Sequence, residues 1–264
     1  MITFYPIGRL GNLMFQASAA IGYAKQFGYH WGCPRDTREV PRFLEYFPLP
    51  ITEGGGRRYN EHIDAFCPVH GTHLNRCHFD FHPFQLRGDN ITFFGFFQSM
   101  KYFQHCQETI KKVFALPHVA GFEDYVSIHV RRGDYVKHAG SFPPITVDYV
   151  EQAMNKINTG KFMVFSDDIA WCKGAFTHLD NSIQRFEYSE GRNEKEDLSL
   201  MASCGHHIIA NSTFSWWGAY LGHNPDKVVV TPSGVRGNWF GMDGGVKKDC
   251  VDLLPEEWIK ITFR

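Results

Sequence analysis

Apolar and polar residues alternate with period two in Val126-Ser127-Ile128-His129-Val130-Arg131, the signature of a β-strand with one buried apolar side. That pattern puts His129 and Arg131 on the opposite face. Gly133 is expected to break the strand, leaving Arg132 and Asp134 at its C-terminal mouth. Residues 2–7 read as a short buried strand followed by the glycine loop Gly8-Arg9-Leu10-Gly11-Asn12. Leu13, Ala17, Ala20, Ile21 and Ala24 then recur at helical spacing, with Gly28 as the C-cap. A strand pattern returns at residues 90–97. Phe103, Cys106, Ile110, Val113 and Phe114 share one face of a helix that Pro117 ends. Further strands are expected at 161–165, 207–210 and 228–231. Asn193 is the N-cap of a helix with Glu194, Glu196 and Asp197 in its first turn, and Asn211-Ser212-Thr213 opens another.

Strands alternating with helices predict an α/β fold with largely parallel sheets. The stretch 116–124 reads as a linker, which gives an N-terminal domain at 1–118 and a C-terminal domain at 119–264. The tail carrying Trp258 and Phe263 is expected to pack back on a domain, with the N-terminal one as the candidate. Residues 34–90 are the least regular part. Prolines, Gly54-Gly55-Gly56, Arg57-Arg58 and five histidines without metal-ligand spacing suggest loops and short elements.

Composition narrows the possibilities. At 264 residues with 24 phenylalanines the chain can bury a core in one domain or two. A net charge of -1 gives no support to a sequence-wide nucleic-acid or polybasic membrane surface. Seven cysteines, at 33, 67, 77, 106, 172, 204 and 250, form no Cys-x-x-Cys pair and read as reduced, buried thiols of a cytoplasmic protein. There is no apolar run of about 18 residues. Hence no transmembrane segment is expected, and attachment to the inner face of a membrane stays open.

Three polar motifs fall at expected strand ends. His129 and Arg131 supply donors for an anionic ligand, and Arg can fork onto two phosphate oxygens. Asp167 of Ser166-Asp167-Asp168 can accept from a base edge, or the acidic pair can cap a helix. Ser212, Thr213 and Ser215 open a helix whose N–H groups suit a phosphate, though a cap would look the same. Trp216-Trp217 reads as core. Asp167-Asp168 is also the one adjacent acidic pair at a strand end that could hold a cation. No Asp-x-Asp, His-Glu-x-x-His or Walker loop accompanies it, so no metal or cofactor is expected.

These motifs occur with Gly8-Arg9-Leu10-Gly11-Asn12-Leu13-Met14-Phe15-Gln16, Gly95-Phe96-Phe97-Gln98-Ser99-Met100-Lys101-Tyr102-Phe103 and His129-Val130-Arg131-Arg132-Gly133-Asp134-Tyr135. Phe165-Ser166-Asp167-Asp168 and Asn211-Ser212-Thr213-Phe214-Ser215-Trp216-Trp217-Gly218 follow in order. So arranged, the chain resembles the α-1,2-fucosyltransferases of glycosyltransferase family 11. The resemblance implies a GT-B-like fold, two Rossmann-like domains facing across a cleft, with 1–118 on the acceptor side and 119–264 binding the GDP-sugar. It implies inverting transfer of L-fucose from GDP-β-L-fucose, without an essential metal, to O-2 of a galactoside. The acceptor is then a galactose-containing oligosaccharide or an O-antigen-type lipopolysaccharide, and nucleic acid is not a partner. Arg131 would hold the β-phosphate, and His129 and Asp167 would lie near guanine. Ser212, Thr213 and Ser215 would reach the pyrophosphate, while Gly8, Gly11 and Asn12 would close the cleft. Asp134 is the candidate base, or else a structural partner of Arg132. The membrane anchor of the family's animal members has no counterpart here, which implies a bacterial-type enzyme, and residues 34–90 match nothing in the family pattern. A transferase using another nucleotide sugar, or a catalytically silent nucleotide- or glycan-binding module, remain the alternatives.

Overall fold

The structure, a computed structural model, describes residues 1–35, 39–53, 56–60, 65–67, 72–74, 81–84, 87–181, 183–232, 239 and 252–262. Gly54-Gly55, His62, His70, His78, Cys77, Cys250 and Phe263 lie outside them. The chain divides into two units, Met1–Ala115 with Asp249–Pro255, and Leu116–Lys248 with Glu256–Arg264.

In the first unit β1 (Ile2–Phe4) leads into α1 (Leu10–Phe27). Then come β2 (Cys33–Pro34), α2 (Val40–Tyr46), β3 (Ile51–Thr52), β4 (Arg57–Asn60), β5 (Ala65–Cys67), β6 (Thr72–Leu74) and β7 (Ile91–Phe94). Strands β1, β7 and β4 form a parallel sheet in that order, β2 pairs with β3 in parallel, and β5 pairs with β6 antiparallel. Phe4 and Phe93 are register partners and are buried, and Tyr23 of α1 meets Phe93 edge-on at 5.3 Å. This face of the sheet therefore packs on the helix.

Two expectations change here. The helix starts at Leu10, so Gly11 and Asn12 belong to its first turn and not to a loop. Gly8 turns the chain at φ +83, a left-handed conformation that L side chains rarely adopt, which lets the helix begin two residues later. The helix expected around Phe103 is broken into two 3-10 turns, Met100–Tyr102 and Gln104–Cys106, ahead of α3 (Gln107–Val113). Phe103 leaves the helical region at φ -137 and its ring is fully buried.

The second unit comprises β8 (Val126–Val130), α4 (Gly133–Lys137), α5 (Val147–Met154), β9 (Lys161–Ser166), α6 (Ile169–Ala175) and β10 (Arg185–Tyr188). They are followed by α7 (Glu194–Ser203), β11 (His206–Ile208), α8 (Thr213–Tyr220), β12 (Val229–Pro232) and β13 (Ile259–Ile261). Its six strands are all parallel, in the order β10-β9-β8-β11-β12-β13. The tail thus supplies the sheet's edge strand, and Trp258 lies 5.6 Å from Trp216 of α8. Helix α7 begins with the expected Asn193 cap, completed by Glu196 into a capping box.

Strand β8 corrects the opening expectation. All five of its residues are buried, the polar ones included. Val126, Ile128 and Val130 pack with Tyr149, Val150 and Ala153 of α5. On the other face Ser127 and His129 are register partners of Met163 and Phe165, which pack with Leu200, Met201 and Cys204 of α7 and its end. An inner strand of a parallel sheet is covered on both faces, so alternation does not mean that one face is wet. The buried polar groups are paired instead: the Ser127 hydroxyl lies 2.8 Å from Nδ1 of His207 on β11. Gly133 does not end the strand, which stops at Val130. It opens α4.

Burial holds both inner histidines neutral. His207 is pushed down to about 3 by burial, then by Lys227 and His206, and His129 to about 4 by burial against the opposing pull of Asp167. Both sit below the ordinary imidazole value of about 6.5, so the unfolded chain binds more protons than the native one between these values. Stability is therefore full above about pH 6.5 and falls as the pH drops toward the folded values. Each buried imidazole adds a slope of up to about 1.4 kcal/mol per pH unit. Urea denaturation between pH 7.5 and 4.5 is expected to show this fall, with a shallower slope in His207→Gln. Equal slopes in the two proteins would show that His207 is not the titrating group.

Candidate active site

The C-terminal ends of β9, β8 and β11 are neighbours, and adjacent strands lie about 4.8 Å apart, so the three mouths fall within roughly 10 Å. Each mouth carries one of the polar motifs, and in open α/β sheets ligands bind beyond such ends.

Asp167 organises the cluster. Its Oδ1 accepts the Arg132 backbone N–H at 2.8 Å, and its Oδ2 lies 2.9 Å from the Arg131 guanidinium. A Cβ on Gly133 would fall 2.5 Å from that Oδ2, so the approach depends on glycine. Asp134, in the first turn of α4, reaches back to Arg131 at 2.5 Å. The structural partnership foreseen between Asp134 and Arg132 is therefore corrected. Once Gly133 starts a helix, the i,i+3 spacing of residues 131 and 134 brings those two together.

Arg132 has other partners. Its Nε donates to Asp168 Oδ2 at 3.1 Å, and its guanidinium lies 3.8 Å from the centre of the Trp171 ring. Asp168 also caps α6, its Oδ1 accepting the Trp171 N–H at 3.1 Å. The capping alternative thus applies to Asp168, while Asp167 faces the arginines. The Arg131 side chain is 18% exposed, shielded from water yet reachable from the mouth. Among the described residues no group of three or more His, Cys, Asp or Glu is arranged to hold a metal ion.

His129 lies behind these charges, its Nδ1 2.9 Å from the Ser215 hydroxyl. That contact ties β8 to α8, and Ser215 is fully buried. As a neutral imidazole His129 brings no positive charge to a phosphate, only one N–H donor. Ser212 is the N-cap residue of α8 but makes no side-chain cap bond, and Thr213 follows it; both are half-buried at the helix start. Gly8, Gly11 and Asn12 lie in the first unit. There the Asn12 side chain accepts from Gln98 at 2.8 Å, and Gln16 clasps the Ile7 backbone through both of its amide atoms.

Sequence reasoning passed over three contributors. Tyr135 donates to the Asn211 carbonyl at 2.9 Å, and the Asn211 amide donates to Pro143 and Trp239 carbonyls at 2.9 and 3.0 Å. These bonds fasten the mouth of β11 to two loops. Asp197, read as a helix-dipole residue, takes the Ser189 hydroxyl at 2.5 Å, and burial raises its carboxyl. The signal for the first two was present, since Tyr135 and Asn211 each sit within a polar motif. Nothing local marks the reach of Asp197 to Ser189 at the end of β10.

The sequence profile of glycosyl transferase family 11 matches residues 1–240. The chain belongs to glycosyl transferase family 11. This member is 31% identical over 189 residues to the alpha-1,2-colitosyltransferase of Escherichia coli, across 65% of this chain and 63% of that protein. It therefore spans less than two thirds of that relative's length. It is 25% identical over 282 residues to galactoside 2-alpha-L-fucosyltransferase SEC1 of Bos taurus, across 97% of this chain and 72% of that one. A solved structure of NodZ alpha-1,6-fucosyltransferase soaked with GDP-fucose aligns with a TM-score of 0.45 and 14% identity, across 87% of this chain and 92% of that one.

The geometry around Gly133 separates two glycines of this family member. Gly133→Ala must displace Asp167 and is expected to lower stability by about 1–3 kcal/mol, the range for inserting atoms into a packed site. Gly174→Ala, inside α6 with nothing within 4 Å of the new methyl, is expected to raise it by about 0.5–1 kcal/mol. Thermal and urea melts of both variants check the pair. A neutral Gly133→Ala would mean that the Asp167 contact is not as tight as drawn.

Proposed function

We propose that this family member is an inverting glycosyltransferase moving L-fucose from GDP-β-L-fucose to O-2 of a galactoside, with no metal cofactor. The observation that carries the reading is the shielded Arg131 guanidinium at the central strand mouth, beside the start of α8. Family membership and the galactoside 2-alpha-L-fucosyltransferase relative support the reaction class. The colitosyltransferase relative supports a second reading of the donor, in which the same site takes a colitosyl group. The acceptor in either reading is a galactose-containing glycan, such as an oligosaccharide or the O-antigen part of a lipopolysaccharide. No helix among the described residues is long and apolar enough to cross a membrane, and we take the chain to act in the cytoplasm or at the inner membrane face.

Fucose–phosphate cleavage builds negative charge on the departing pyrophosphate, and a fixed guanidinium in a water-poor site stabilises that charge most effectively. Without ligand Arg131 is held by two carboxylates, Asp134 and Asp167. A diphosphate exchanges with the more exposed of these, Asp134, whose side chain is 48% exposed against 26% for Asp167. The exchange frees Asp134 to take the proton of the acceptor hydroxyl, the role of a general base. Asp167 keeps the arginine loop in place. Each of its oxygens retains a lone pair with which to accept from the guanine edge. Ser212, Thr213 and the first N–H groups of α8 take the other phosphate oxygens.

Four measurements test these readings. Arg131→Lys keeps the charge but loses the planar fork, and kcat is expected to fall about a hundredfold, near 3 kcal/mol, with donor binding weakened less. Asp134→Asn is expected to slow transfer while GDP affinity holds or rises, because the residue competes with phosphate for Arg131. An Asp134→Asn enzyme with unchanged kcat would remove it as the base. Release of GDP from GDP-fucose with β-galactosides is expected to survive excess EDTA. Loss restored by manganese or magnesium would assign Asp167-Asp168 to a cation instead. Competition between GDP-fucose and a colitosyl donor separates the two donor readings.

A further inference from the structure

The second face of the β1-β7-β4 sheet has a different character from the face that α1 covers. Side chains alternate across a strand, and the register pairs Phe4 with Phe93 and Tyr59 with Phe93, all on the helix side. Thr92, its register partner Arg58, Phe94 and Tyr5 therefore belong to the other side. With Gly56 they line an open groove of about 350 Å³ within the first unit, a volume at the small end of the range for ligand pockets.

The groove's chemistry is specific. Tyr5 is 50% exposed although its backbone is fixed, the N–H donating to the Phe93 carbonyl at 2.7 Å. Its ring centre lies 5.0 Å from that of Phe94, and the Arg58 guanidinium sits 3.6 Å from the centre of the Phe94 ring. Phe94 is thus the base of a short stack with Arg58 on it and Tyr5 beside it. The stack presents an aromatic wall, a planar set of N–H donors and the Thr92 side chain in a space open to solvent. Purely apolar docking would not need a guanidinium fixed on the wall, and a phosphate site would need more than one cation. A sugar ring has one face of C–H bonds that packs on an aromatic ring and an edge of hydroxyls that accepts from a guanidinium. Aromatic residues with a polar handle favour such half-wet contacts.

We propose that this groove is a carbohydrate subsite that binds a hexose of the acceptor glycan. Tyr5 supplies the stacking face, Arg58 donates to ring hydroxyls, and Phe94 holds Arg58 in plane. The proposal rests on the fucosyl-transfer reading for the identity of its ligand, but no chemistry at Arg131 enters the argument. Gly56, whose N–H donates to the Asn90 side chain at 2.8 Å, bounds the groove, and a Cβ there would meet the Asn90 amide at 2.7 Å.

The test uses the full chain and N-acetyllactosamine as the probe. Saturation-transfer NMR with irradiation of the aromatic protons is expected to mark the C–H face of one hexose ring. Tyr5→Ala is expected to abolish that transfer and raise the acceptor KM about tenfold, with the GDP-fucose KM held within twofold. Tyr5→Phe keeps the ring and is expected to restore both, and Arg58→Gln, which spares the stacking ring, is expected to raise the acceptor KM by a smaller factor. Melting temperatures of the variants show whether each is folded. Tyr5→Ala and Arg58→Gln proteins that are folded and keep the wild-type acceptor KM and the wild-type NMR pattern overturn the subsite and leave the fucosyl-transfer reading standing. A wild-type chain that neither binds the probe nor consumes GDP-fucose overturns that reading, and the acceptor subsite falls with it.

Discussion

Asp167 is the point on which the second unit's polar architecture depends. One of its oxygens fixes the Arg132 backbone and the other the Arg131 side chain, so a single carboxylate joins the mouth of β9 to the loop after β8. Such charge-assisted bonds are stronger than neutral ones, and their geometry dictates the residue that follows. A Cβ at Gly133 would fall 2.5 Å from the Asp167 carboxylate, so any larger residue has to displace it. Helix α4 begins at Gly133 and carries Asp134 round to Arg131. Interaction, backbone and candidate chemistry are therefore consequences of one contact.

The two arginines at this mouth divide their work through different surroundings. Arg132 is stacked on Trp171 and bonded to the residue that caps α6, which makes it part of the frame. Arg131 is balanced between two carboxylates of unequal exposure and lies farther from its aromatic neighbour, 5.7 Å from the Tyr135 ring centre. An arginine built into the frame and one reachable from the mouth look identical in a string of letters. Their neighbours distinguish them.

That contrast explains how much could be read in advance. The strands at 126–130 and 161–166, the Asn193 capping box and the Gly28 C-cap were legible because their signals are local: alternation, a cap residue, a glycine at left-handed φ. Residues 131, 167 and 212 were legible as site candidates because each follows a strand pattern directly. The burial of Ser127 and His129 was not, since it comes from β8 lying between two other strands with helices on both faces. Nor was the pairing of Arg131 with Asp134, which needs the helix that Gly133 begins. The mixed character of the groove at Tyr5 was equally hidden, because it arises from the register of three strands distant in sequence.

Charge balance at the mouth connects these observations. Among the described residues, Arg131 and Arg132 face Asp134, Asp167 and Asp168, three carboxylates against two guanidiniums. The described carboxylates thus act as counter-ions to the two arginines. On the proposed reading a diphosphate would replace an internal carboxylate, and its affinity would be a difference between two similar contacts. Such a site would bind the donor modestly, while the charge growing on the leaving group would still meet a guanidinium already in position. Interactions that strengthen only as the bond breaks raise kcat, whereas equal binding throughout does not. On the proposed reading that exchange is complete before the bond breaks, so its cost is common to bound donor and transition state and lowers affinity, and Arg131 raises kcat only through the charge that grows on the leaving group.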